Sequence, residues 1–249
     1  MLQITIISDC KDPNARARQE IFYRALLGNV HITFIGVEHE LEASGCLIDA
    51  IDAYKGTKGI IIVNVAPRGN KEKYPNGVPF CFADFQNLKI IGTPNCFSLA
   101  KKFELISHAF ETDVETVCQK FLTKDESTRI AKSQFRSYEY LPHLAHWLSK
   151  GEEIPSNKIE IPDFGNQNYI WYVDCFGNCK TTRIHDNLKA SQRPFLRFKF
   201  KDTLADVPND GMFYYIKGSS GYADKRFFEI VIQKGSAAKI MNKKVGDKI

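Results

Sequence analysis

Ile4-Thr5-Ile6-Ile7-Ser8-Asp9 opens a β-rich run that stops at a carboxylate, and residues 14–27 follow it with Ala15, Ile21, Phe22, Ala25 and Leu26 at helical spacing. Val30-His31-Ile32-Thr33-Phe34-Ile35-Gly36 then returns to strand character. β-branched and aromatic residues favour the pleated backbone, whereas apolar residues three and four apart make one helix face. The same alternation repeats through Glu40–Tyr54, with Leu41, Cys46, Leu47, Ala50 and Ile51, into a strand over 59–65. Strand, helix, strand, helix, strand in this order predicts a parallel sheet covered by helices, an α/β fold. Working outward, 79–85 and Leu88–Gly92 read as further strands, and 98–110, 114–122 and 141–148 as helices.

The polar stretch 150–157, Lys-Gly-Glu-Glu-Ile-Pro-Ser-Asn, is broken by Gly and Pro and reads as a linker. Beyond it the period changes. Strands at 169–173, 194–199, 212–217 and 227–233, separated by turn-rich loops, predict a small antiparallel β-barrel. The expected organisation is an α/β domain over 1–150 and a barrel over 158–249.

Composition narrows the classes. An apolar fraction of 43% and a charged fraction of 25% are those of an ordinary globular protein. No apolar run approaches the roughly 20 residues that span a bilayer. The N-terminus carries neither a basic start nor a small-residue cleavage site, so the expectation is a cytoplasmic protein without membrane association. Seven cysteines at irregular spacing argue against a disulfide framework, and Cys175 and Cys179 lack the second pair that zinc requires. No metal or bound cofactor is expected. The net charge of +5 is modest. Arg193, Arg197, Lys199 and Lys201 alternate with Phe195, Phe198 and Phe200, which fits a half-exposed strand better than a nucleic-acid face.

Chemistry-bearing residues gather at predicted strand ends. Asp9 follows the first strand, Asn64 closes the third, and Asn95 follows the fifth; with Asp12 they could line a cleft at the carboxyl ends of a parallel sheet. Each alone is better read as a cap or turn residue, and it is their joint placement that points to a site. In the second half, Tyr169-Ile170-Trp171-Tyr172-Val173 runs into Asp174-Cys175-Phe176-Gly177-Asn178, where Gly177 permits a turn with φ > 0. That turn would cluster a carboxylate, an aromatic face and an amide.

These patterns together resemble the S-adenosylmethionine hydroxide adenosyltransferases, relatives of the S-adenosylmethionine-dependent fluorinase and chlorinase. Val173-Asp174-Cys175-Phe176-Gly177-Asn178 with Thr181 is similar to that family's Val-Asp-x-Phe-Gly-Asn-x-x-Thr signature. Gly218-Ser219-Ser220-Gly221 resembles its Asn-Ser-x-Gly loop, and Ser8-Asp9 with Lys11-Asp12-Pro13 its Thr-Asp and Lys-Asp-Pro elements. The likeness is specific at the C-terminal end and weak between residues 68 and 157. It implies a homotrimer with intersubunit sites for S-adenosylmethionine or adenosine. It further implies that Asp9 holds the ribose hydroxyls, that Asp12 and Asp174 face the methionine ammonium, and that Phe176 and Asn178 border the adenine. Ser219 would contact the methionine carboxylate, with Ser220 beside it and Asn95 lining the pocket. The implied reaction is attack of water or hydroxide at the ribose C5′, which releases adenosine and methionine.

The water-activating group departs from the family. Asn64 stands in the place of its Asp, and an amide cannot act as a general base. Arg68 or Lys71 would stand for its Arg, Phe110 aligns with its His, and His108 lies two residues earlier. The sequence therefore leaves two main readings open. One is a hydrolase whose water activation draws on Asn64, Arg68 and His108, or on Asp84 or Asp113. The other is a non-catalytic binder of S-adenosylmethionine or a related nucleoside.

Overall fold

The computed structural model describes residues 1–66, 77–165, 167–185 and 198–249. It divides into two compact units, Met1–Asp163 and Phe164–Ile249.

The first unit is built on a seven-stranded sheet of order β2-β1-β3-β5-β4-β6-β7. Its strands are β1 (Leu2–Ser8), β2 (Val30–Gly36), β3 (Gly59–Asn64), β4 (Phe80–Phe85), β5 (Leu88–Gly92), β6 (His108–Thr112) and β7 (Asn157–Glu160). β1 pairs in parallel with β2 and β3, and β3 with β5, as the alternation of strand and helix requires. The two crossover helices are α1 (Pro13–Leu27) and α2 (Glu40–Tyr54). β3, Gly-Ile-Ile-Ile-Val-Asn, is buried at every position, consistent with a central strand covered on both faces.

The parallel pattern breaks at β4. A tight turn with Gln86 at φ +52 folds β4 back antiparallel to β5, and β6 and β7 continue antiparallel. The sheet is therefore mixed, though its half carrying β1, β2, β3 and β5 is parallel. The helix expected over 98–110 is instead α3 (Ser98–Lys102) followed by β6, so His108 and Phe110 lie on a strand. Four helices follow: α4 (Val114–Phe121), α5 (Lys124–Ala131), α6 (Arg136–Glu139) and α7 (Leu141–Lys150). α7 ends at Gly151 with φ +78, a left-handed cap that suits glycine. Ile4, Ile6, Ile60, Ile62, Ile91, Leu144 and Trp147 share one core on this side of the sheet. The stretch 150–157 leads directly into β7, so Asn157–Glu160 is an edge strand of the first sheet.

The second unit holds a mostly antiparallel five-stranded sheet of order β10-β11-β12-β9-β8. Its elements are β8 (Ile170–Val173), β9 (Cys179–His185), β10 (Lys199–Lys201), β11 (Tyr214–Tyr222), β12 (Lys225–Val231) and α8 (Ala237–Met241). β10 runs parallel to β11. The free edge of β8 takes bonds from the C-terminal segment: Ile170 N donates to Asp247 O and Gly246 N to Ile170 O, at 2.9 and 2.8 Å. Among the described residues no pairing joins β10 to β8, so the predicted barrel is, within those residues, an open sheet. Most of the strand expected at 194–199 lies outside the described residues, as do Arg193 and Arg197.

Candidate functional site

Parallel register brings the carboxyl ends of three strands level. Ser8 lies opposite Asn64, and Val63 opposite Gly92. A Cβ on Gly92 would stand 1.7 Å from the Val63 carbonyl oxygen, so the close β3–β5 approach needs glycine there. Asp9, Asn64 and the segment after β5 are thereby drawn to one edge of the sheet.

Asp9 is the polar centre of that edge. Its Oδ2 accepts from the Ala66 amide at 3.2 Å, while its Oδ1 is buried and has no hydrogen-bond partner among the described residues. An unpaired buried carboxylate oxygen is costly, and a hydroxyl or ammonium brought by a ligand would relieve it. Asn64 is 5% exposed. Ser8 Oγ accepts from the Cys10 amide at 3.1 Å. Cys10 is exposed, but partial desolvation of its sulfur, and next the charge of Asp9, push the thiol above its usual range.

Asn95 sits on a short 3-10 turn, Pro94–Phe97, and its amide nitrogen donates to both carboxylate oxygens of Glu40, at 3.1 and 3.0 Å. The motif reading missed Glu40, an acidic residue in the first turn of α2. Burial drives the Cys96 thiol up to about 12, with smaller contributions from the charges of Glu40 and Asp9. Asp12 has a different occupation. It is exposed, and its Oδ1 accepts from the Asn14 and Ala15 amides at 3.0 Å each as the N-cap of α1.

His108 does not join this edge. Val63, Gly92, Cys81 and Glu111 lie level across the sheet, and His108 begins β6 three residues before Glu111. It is thus about 13 Å from Asn64 along the strands and about 14 Å across three strand spacings. Its Nδ1 lies 2.9 Å from Ser107 Oγ, and its ring meets Phe110 edge-on at 5.3 Å. The expected pairing of Asn64 with His108 fails because β4 reverses direction, which puts the start of β6 at the opposite end of the sheet. Asp84 is ion-paired to Lys89 at 2.8 Å, and Asp113 caps α4 through the Thr116 amide. Arg68 and Lys71 lie outside the described residues.

In the second unit the β8–β9 turn is closed by its own side chains. Asp174 Oδ1 accepts from the Phe176 and Asn178 amides at 2.9 and 2.8 Å, and Oδ2 accepts from Asn178 Nδ2 at 2.9 Å. Gly177 takes φ +84 and lies against Ser236, and its carbonyl accepts from the Ala238 amide at 2.9 Å. The result is a rigid tip that presents Phe176 at 75% exposure, unusual for so large an apolar ring. Ser219 is exposed, whereas Ser220 is buried and accepts from Lys180 Nζ. Lys180 also lies 5.4 Å from the ring centres of Trp171 and Tyr172 and directly opposite the buried Glu229 in the β9–β12 pairing. No motif pointed to this lysine. Among the described residues no cluster of His, Cys, Asp and Glu could hold a metal ion, and no helix is long and apolar enough to cross a membrane.

Comparison with known proteins locates the fold. No model of a protein family matches the chain, and no curated protein matches its sequence. Solved structures do. An "uncharacterized conserved protein" from Thermotoga maritima superposes with a TM-score of 0.67 at 15% identity, covering 98% of each chain. A "conserved hypothetical protein" from Thermus thermophilus gives 0.62 at 17% identity, over 99% of this chain and 97% of that one. The two-unit architecture is therefore a recurring one over its full length.

Proposed function

We propose that this chain binds S-adenosylmethionine, or a closely related adenosyl nucleoside, at the edge marked by Asp9, and that its reaction is displacement by water at the ribose C5′. The observation that carries the reading is the buried Asp9 Oδ1 at the carboxyl end of β1, which has no hydrogen-bond partner among the described residues. A ribose diol supplies the donors this oxygen lacks, and a hydroxyl bound to a carboxylate is held more strongly than one bound to a neutral acceptor. The sequence resemblance assigns the same role to Asp9.

Attack of water on a sulfonium carbon needs no acid for the leaving thioether. Positioning of the attacking water and exclusion of bulk solvent would supply the rate, and the proton the attacking water loses passes to solvent, because neither Asn64 nor His108 offers a base at this edge. The second reading, binding without turnover, is favoured by those same two residues. The resemblance also implies a homotrimer, which sedimentation velocity of the purified protein checks by mass.

Calorimetric titration with S-adenosylmethionine, followed by chromatography of the mixture, separates the readings. Binding with release of adenosine and methionine above a protein-free control supports the hydrolase. Binding with no adenosine supports the binder. No binding of S-adenosylmethionine, adenosine or S-adenosylhomocysteine removes both.

A further inference from the structure

Remote from the Asp9 edge, the first unit carries a cavity of about 730 Å³ where the loop after α7 passes over the sheet. Its volume lies within the range of small-molecule sites. The floor is aromatic: Phe82 and Phe110, cross-strand partners on β4 and β6, stack at 5.4 Å with 25° between their planes, each ring half-buried. Three lysines stand around it on three elements. Lys120 of α4 is committed, donating to the Glu153 carbonyl at 2.6 Å. Lys89 of β5 is committed to Asp84 at 2.8 Å. Lys158 of β7 is directly opposite Phe110 in the β6–β7 register, is exposed, and has no ion pair among the described residues.

We propose that this cavity is a second ligand site, for a planar aromatic anion such as an aryl phosphate or aryl carboxylate. The two rings cover one face of each other and remain half-buried, leaving aromatic surface against which a planar ring can pack, and an anionic substituent at that ring's edge would meet Lys158. The exposed Glu152 and Glu153 lie on the loop side of the same cavity and repel an anion there, so its charged group is directed toward Lys158 on β7. A neutral aromatic would gain the stacking alone. The site shares no residue with the Asp9 edge and stands without the adenosyl reading.

The test is calorimetric titration with 1-naphthyl phosphate and with neutral 1-naphthol. Saturable 1:1 binding of the phosphate, tighter than the naphthol by about threefold or more and weakened by salt, is the expected result. Lys158→Glu should weaken the phosphate by a similar factor without affecting the naphthol, and Phe110→Leu should weaken both. Excess S-adenosylmethionine should displace neither. Equal affinity for the two probes, or an unchanged phosphate affinity in Lys158→Glu, overturns the proposal. So does absence of binding, including the case in which Lys158→Glu alters the sedimentation coefficient and the face is a contact between copies of the chain.

Discussion

At the scale of single residues, Asp9 and Gly177 make opposite predictions. Among the described residues Asp9 keeps a buried acceptor without a hydrogen-bond partner, so on the proposed reading it contributes little to stability and is there to serve a ligand. Asp9→Asn should therefore leave the melting temperature of the free protein unchanged or raised, yet weaken S-adenosylmethionine by about tenfold, roughly 1.4 kcal/mol. Calorimetry and thermal melting on one sample check both halves, and an unchanged affinity sinks the site. Gly177 is structural. Its φ is +84, and an added Cβ would fall 1.9 Å from Ser236 Oγ and 2.6 Å from Ser236 Cβ. Gly177→Ala should cost about 1–3 kcal/mol, read as a lower urea midpoint at constant slope. The need for glycine at this turn was legible in the sequence, because Asp-x-Phe-Gly-Asn after a strand demands it. That both Asp174 oxygens would be taken up in closing the turn was not, since a carboxylate before a turn serves a ligand or a backbone amide equally well.

Individual elements show why the site was only half legible. Leu2–Ser8, α1, β2, α2 and β3 follow from periodicity, and with them the carboxyl-end location of Asp9 and Asn64. β6 and β7 do not. Residues 98–110 hold enough apolar side chains for a helix, and only pairing with β4 makes His108–Thr112 a strand. β7 is an edge strand with exposed Asn157, Lys158 and Glu160, so no hydrophobic pattern marks it. His108 was misplaced for this reason: its distance from Asn64 is set by strand order, which no local pattern encodes. Asp12 illustrates the ambiguity of a strand-to-helix junction. Asp12→Ala removes the acceptor for two α1 amides and should cost about 1 kcal/mol, whereas Asp12→Asn, an equally good cap, should be nearly neutral. If Asp12 is a cap alone, neither change alters S-adenosylmethionine affinity in calorimetry; a marked loss in Asp12→Asn would return it to the ammonium site.

Across the whole molecule the cysteines report the cores. Cys10 and Cys175 are exposed, whereas Cys81, Cys96 and Cys118 in the first unit and Cys179 in the second are buried. Burial pushes Cys96 and Cys118 up to about 12 and Cys179 up to about 11, from about 9, and raises the Cys81 thiol likewise. It also raises the Tyr23 and Tyr140 hydroxyls, both almost wholly enclosed. Each group ionises more easily unfolded than folded. The unfolded chain therefore binds fewer protons than the folded one above pH 9, and stability must fall as pH rises there. Below about pH 8 both states hold these protons, so the groups contribute no slope. The melting temperature should accordingly decline through the interval from about pH 9 to 12, the range set by the unfolded and folded thiols. Replacing Cys96 by Ala removes one such thiol and should flatten the decline, while Cys175→Ala at the exposed hairpin tip should leave it unchanged. Scanning calorimetry in a pH series checks this. Equal slopes for the two variants would mean that the buried thiols are not what limits the fold in alkali.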